Sequence, residues 1–252
     1  MEQSTARTAR FYLTHGALPL ALAVAAVLGL EHSGFDTWAA DACFDPALGN
    51  FPWRKHWLTE DLIHKAGKNA AIGVGLVAIA LLVASRWKRG LVSWRRPLAY
   101  FVACMALGPL AASAWKDASS KRCPWDLVVY GGFAQADVIL ESDPPEHRRG
   151  CFPCGQASAG FALASGYFAL RGRAPRWSKR ALWIGLAYGT LLGFGRVLQG
   201  AHYPSHVVAT AGVCWSVALV LYEVALRRRD DQRRALALAS SAAGWRASER
   251  VV

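Results

Sequence analysis

Apolar stretches of about 16 to 20 residues, long enough to cross a bilayer as a helix, recur along this chain, and clusters of arginine and lysine separate them. The stretches fall near Phe11 to Leu30, Asn69 to Ser85, Pro97 to Trp115, Gly155 to Leu170, Ala181 to Leu198 and Val207 to Leu226. With 54% hydrophobic residues in a length of 252 and a mean hydropathy of +0.19, the chain is too apolar for an ordinary soluble domain. The pattern predicts an all-α fold, a polytopic membrane helix bundle with about six transmembrane helices.

The basic clusters set the expected orientation. Arg7 and Arg10 precede the first stretch; Arg86, Lys88, Arg89, Arg95 and Arg96 follow the second; Arg171, Arg173, Arg176, Lys179 and Arg180 follow the fourth; Arg227, Arg228, Arg229, Arg233 and Arg234 follow the sixth. They alternate with the spans, so the positive-inside rule assigns both termini and all of these clusters to the cytoplasm. Residues 1–234 then form one integral membrane domain with outward loops 31–68 and 116–154, and 235–252 form a flexible cytoplasmic tail. The formal charge of +12 is accounted for by topology, which argues against nucleic acid as a partner. The first stretch is longer than a signal-peptide core and lacks a small-x-small cleavage site after it, so it reads as a retained anchor.

Within the first outward loop, Trp53 with Trp57 and Leu58 with Leu62 recur at helical spacing, which fits either a short interfacial helix or a loop packed over the bundle. Gly73 and Gly75, and Gly185, Gly189 and Gly193, suit faces where helices approach closely. Cys104 and Cys214 lie inside spans as small core residues, whereas Cys43, Cys123, Cys151 and Cys154 lie outward. In an oxidising compartment Cys123 and Cys151 could bridge. The Cys-x-x-Cys spacing of Cys151 and Cys154 also admits a redox or metal reading, and spacing alone leaves the connectivity open.

Three polar segments at span ends carry the chemistry. Lys116, followed by Cys123-Pro124-Trp125, ends the third span, where snorkelling would also account for a lysine. Phe152-Pro153-Cys154-Gly155-Gln156 precedes the fourth, so backbone N–H groups near Gly155 are free to face an anion. Arg196 ends the fifth after an apolar run, and its forked guanidinium suits a phosphate. His202 stands four residues before His206, and an imidazole held by a neighbour at its other nitrogen can attack phosphorus. A His-x-x-x-His pair also suits zinc, but Tyr203 rather than Glu follows His202, which favours phosphate chemistry over a metal.

In this order the segments resemble the type 2 phosphatidic acid phosphatase superfamily, and the six-span layout resembles its membrane branch. The family pattern Lys-x6-Arg-Pro, Pro-Ser-Gly-His, Ser-Arg-x5-His-x3-Asp is met by Lys116 and Pro124, by Pro153 and Gly155, and by Arg196 and His202, over roughly residues 97 to 215. Cys123, Cys154, Gln156, Gly195 and His206 depart from it. Cys123-Pro124-Trp125 and Gly200-Ala201-His202-Tyr203-Pro204-Ser205-His206 are similar to a bacterial subgroup that carries Cys-Pro-Trp and Gly-Ala-His-Phe-x-Ser-His.

The resemblance implies a metal-independent phosphatase of the bacterial inner membrane, without a cofactor, whose active site faces the periplasm and whose substrate is a membrane lipid phosphate. It implies Lys116, Arg196 and Gly155 as phosphate-binding residues, His202 as nucleophile forming a phosphohistidine, and His206 as its orienting partner. Gln156 occupies the position of the general acid, and an amide has no titratable proton to give. A lipid phosphotransferase and a noncatalytic lipid-phosphate binder on the same scaffold are the alternatives.

Overall fold

A computed structural model describes residues 2–135 and 150–232 of the chain, with the side chains of residues 2–4 left undescribed. The expected tail at 235–252 and the acidic part of the second outward loop, Glu141 to Glu146, lie outside the described residues. Among the described residues the fold is an all-α polytopic bundle, and extended backbone pairs only in two isolated bridges.

Helices α1 (Glu2–Tyr12) and α2 (Leu18–His32) are joined by a π-helical turn, and α3 (Phe35–Cys43) follows as a short helix. A π-helical segment, Leu58–Ala66, runs into α4 (Gly67–Ala84), and α5 (Arg95–Ala118) comes next. Helices α6 (Gly155–Phe161) and α7 (Gly166–Arg171) continue one another through a 3-10 turn at Ala162–Ser165; α8 (Pro175–Leu198) and α9 (Pro204–Ala225) complete the bundle.

Among the described residues, five helical stretches, Thr5–His32, Leu58–Ala84, Arg89–Ala118, Pro175–Leu198 and Pro204–Ala225, are long and apolar enough to cross a membrane. The fourth expected span, Gly155 to Leu170, is the shorter α6–α7 rod. It buries Ala157, Phe161, Ala164, Phe168 and Ala169 and packs against α5, α8 and α9. It is the axis of the bundle, which is why its sequence is rich in small residues. By contrast α2 has no buried residue, and α4 presents Ile72, Leu76, Val77 and Val83 outward, as apolar helices do when hydrocarbon is the solvent.

Small residues let the axis touch its neighbour. A Cβ on Gly160 would lie 2.5 Å from the Gly189 Cα, and one on Gly189 would lie 2.3 Å from the Phe161 ring. The α6–α8 crossing therefore needs glycine on both helices. Gly73 and Gly75 differ from expectation: a side chain at Gly73 would meet nothing within 4 Å, and one at Gly75 would just reach Met105. Gly73 therefore meets no neighbouring helix, whereas Gly75 lies on the side of buried Ala71 and Ala78 without a close crossing.

The helix that carries the second expected span begins at Leu58, ahead of Asn69. The spacing of Trp53 and Trp57 does not reflect one interfacial helix, because a 3-10 turn at Pro52–Lys55 ends at His56, whose backbone is extended. A proline at the head of that turn and the break at His56 cap its length, and Leu58 with Leu62 belong to the span.

The basic clusters meet at one end of the bundle. Arg173 donates to the Ser93 carbonyl, Asp230 fills the space over Gly172, and the Arg227 guanidinium lies over Phe11 and Tyr12 at 4.5 and 4.4 Å. The C-termini of α5 and α8 and the N-termini of α6 and α9 lie at the opposite end, and these termini carry the three polar segments. If that opposite end faces out of the cytoplasm, a cysteine introduced at exposed Leu48 will react with a membrane-impermeant maleimide in intact cells and one at exposed Arg176 will not. The reverse pattern would invert the expected topology.

Candidate active site

The three polar segments are tied together by backbone. The Cys151 N–H donates to the Lys121 carbonyl at 2.7 Å, and a disulfide joins Cys123 to Cys151, so the first and second segments are locked side by side. Gly150 accounts for how closely they approach: a Cβ there would fall 1.8 Å from the Lys116 carbonyl oxygen. The Trp125 N–H donates to Gly200 O at 2.9 Å, which joins the first segment to the third. The second and third meet where the Cys154 N–H donates to His206 O at 3.2 Å and the Thr210 hydroxyl donates to Cys154 O at 3.0 Å.

His202 lies in the turn between α8 and α9 and is 4% exposed. Its Nδ1 is 3.4 Å from His206 Nδ1, a long hydrogen bond, and 3.5 Å from Cys151 Sγ. Burial holds its imidazole well below the usual histidine range; His206 and the positive charges of Arg196 and Lys116 act in the same direction, and the Cys151 backbone opposes them. His206, on the first turn of α9, is walled by Phe152 and Tyr203, whose rings meet it edge to face at 5.2 and 5.3 Å.

Arg196 is held from several directions. Its Nη1 donates to Gln199 Oε1 at 2.6 Å and lies 2.9 Å from His64 Nδ1. Gln199 in turn donates to Glu60 Oε2 at 3.2 Å and to the Arg54 carbonyl at 3.3 Å. The guanidinium lies 5.1 Å from the centre of the Trp125 ring, and Arg54 lies 4.5 Å from it. Trp125 is thus a platform for arginine. The Arg196 Nε is nevertheless buried without a hydrogen-bond partner, and so is the Gln156 Nε2. Each is a buried donor without an acceptor, which an anionic oxygen would satisfy.

The Cys154 thiol occupies the same region. Burial pushes it up to about 11, against the backbone N–H groups of Ala157 and Gln156 and the charges of Arg196 and Lys116, all of which favour the anion. The sulfur is therefore a neutral thiol with donors and cations turned toward it. A phosphate oxygen would use the same field.

The candidate residues Lys116, Gly155, Gln156, Arg196, His202 and His206 thus come from four helix ends and one turn at a single end of the bundle. Sequence reasoning missed His64, Glu60 and Gln199, which hold Arg196, and Asp36. Asp36 is 7% exposed and its Oδ1 accepts the Ser205 N–H at 3.0 Å, capping the helix that carries His206. Gln199 lies three residues after Arg196 and His64 four after Glu60, so helical spacing was the available signal. Asp36 left none, because its partner is 169 positions away.

Cys151, His202 and His206 also form the one group of potential metal ligands among the described residues, their donor atoms lying within 4.8 Å of one another. In the disulfide, Cys151 has no thiolate to offer.

A family model described as the PAP2 superfamily matches residues 97–230, just over half of the chain. No curated protein and no solved structure matches.

Proposed function

The chain belongs to the PAP2 superfamily, and from that membership and the geometry above we propose that it is a membrane lipid-phosphate phosphatase acting on a phosphomonoester or pyrophosphate. The observation that carries the reading is the buried, unpartnered Nε of Arg196 in a site where Lys116 and Arg196 bring positive charge to His202; at the start of α6 the Gln156 Nε2 is likewise without a partner. That inventory suits a tetrahedral dianion. The apolar, outward-facing helices support a lipid as the group that carries it.

In this reading Lys116 and Arg196 neutralise the phosphate, and Gln156 and the N–H groups beginning at Gly155 donate to its oxygens. His202 attacks phosphorus through Nε2 while its Nδ1–H donates to His206 Nδ1. The P–O bond to the lipid breaks, leaving a phosphohistidine and a lipid alkoxide that must take up a proton. Water then attacks the phosphohistidine and releases inorganic phosphate, restoring His202. His206 orients the ring but, being neutral, stabilises the developing imidazolium less than a carboxylate would. The basic end of the bundle favours a site facing away from the cytoplasm, the periplasm if the host is bacterial.

Gln156 favours one further reading, a binder of lipid phosphates with little turnover, because the amide can donate a hydrogen bond but cannot release a proton. Phosphate release from the purified chain, over a panel of lipid phosphates in detergent micelles, separates the two. Lys116→Ala and Arg196→Ala are each expected to weaken substrate binding by about 10- to 10²-fold, the worth of a charge-assisted hydrogen bond. Unchanged KM and inhibition by inorganic phosphate in both variants would remove these residues from the site.

A further inference from the structure

The group formed by Cys151, His202 and His206 has the dimensions of a zinc site. Zinc binds imidazole nitrogen at about 2.0–2.1 Å and thiolate at about 2.3 Å, so a tetrahedral ion separates two nitrogens by about 3.4 Å and a nitrogen from a sulfur by about 3.6 Å. Here His202 Nδ1 is 3.4 Å from His206 Nδ1 and 3.5 Å from Cys151 Sγ, and the third separation stays within 4.8 Å. All three side chains are buried, with Cys151 at 0%, His202 at 4% and His206 at 2% exposure.

We propose that reduction of the Cys123–Cys151 disulfide creates a thiolate-dependent site for zinc or a similar thiophilic divalent cation, ligated by Cys151 Sγ, His202 Nδ1 and His206 Nδ1. The redox step is a two-electron reduction: a dithiol or phosphine breaks the S–S bond, and two protons complete the thiols of Cys123 and Cys151. The ion then displaces the Cys151 proton to solvent and binds the thiolate, with water in the fourth position. His202 already faces both the sulfur and His206 through Nδ1, so the ligands need little rearrangement. The oxidised chain offers two nitrogens and a disulfide sulfur, which is a poor donor, so the bridge keeps the ion out. The site is independent of the phosphatase reading, since it needs neither substrate nor turnover.

The test uses the full chain in detergent, with Zn²⁺ and Co²⁺ as probes. After reduction by a phosphine and removal of the excess, the chain is expected to retain one equivalent of Zn²⁺ that the oxidised chain does not, and with Co²⁺ to show a sulfur-to-cobalt charge-transfer band with tetrahedral visible absorption. Cys123→Ser, which leaves Cys151 a free thiol, should show the same band without reductant. Cys151→Ser should lose it, and His206→Ala should weaken it by tenfold or more. Absence of the band from both the reduced chain and Cys123→Ser, each eluting as folded protein, would overturn the proposal. Survival of the band in Cys151→Ser would also overturn it by assigning the metal to another cysteine.

Discussion

His202→Ala is expected to lower phosphate release by about 10⁴-fold or more, the scale on which removing an attacking residue acts, while KM moves little. Among the described residues His202 is the imidazole on which both Lys116 and Arg196 act, and its Nδ1 meets an orienting neighbour, His206. Because burial holds it below the ordinary histidine range, it is a free base at neutral pH and needs no activation. The same shift has a sign in stability. A folded-state pKa depressed below the unfolded value of about 6.5 means that the unfolded chain binds the proton more readily. Stability is therefore fully present above about pH 6.5 and declines as pH falls below it. In His202→Ala that part of the acid destabilisation should disappear along with activity. Thermal unfolding followed from pH 5 to 8 beside the phosphate assay reads both. Turnover within tenfold of the unaltered chain would exclude His202 as nucleophile whatever the stability data show.

What the sequence made legible follows from the range of the forces involved. Span lengths, basic ends and the motif spacing are local, so the bundle, its two unlike ends and the cluster of Lys116, Arg196, His202 and His206 could be read from the chain directly. The glycines of α8 were read correctly as a close-approach face, but Gly73 was not, because a small residue does not say whether a neighbour comes to meet it. The helix of the second span was not read back to Leu58 because Glu60, Asp61 and Lys65 interrupt its hydropathy; Glu60 in that segment supports Gln199 and, through it, Arg196. Cys123–Cys151 was one of several open pairings until the packing of Gly150 against Lys116 brought the two strands of chain together. Asp36 depended wholly on tertiary structure.

Gln156→His is expected to raise turnover of an alkyl phosphomonoester by about 10²- to 10⁴-fold, the usual worth of a positioned proton donor. Gln156 stands at the head of α6, two residues after Cys154, whose N–H donates to His206 O at 3.2 Å; its Nε2 is buried without a partner, and it lines a groove with Lys68, Gly75 and Met105. An imidazolium there could both donate the hydrogen bond and part with the proton. The gain should shrink toward unity for a pyrophosphate or an aryl phosphate, because those leaving groups depart as stable anions. A pH profile gives a second, independent readout. The unaltered chain has no titrating acid at this position, whereas the variant should lose activity as pH rises through the pKa of the new histidine, about 6.5 before its surroundings act on it. Equal gains on alkyl and aryl substrates, with no new alkaline limb, would mean that the substitution improved phosphate binding rather than proton transfer. If instead the unaltered chain turns over alkyl monoesters rapidly and Gln156→His changes nothing, the leaving group draws its proton from water or from another residue, and position 156 is only a phosphate ligand.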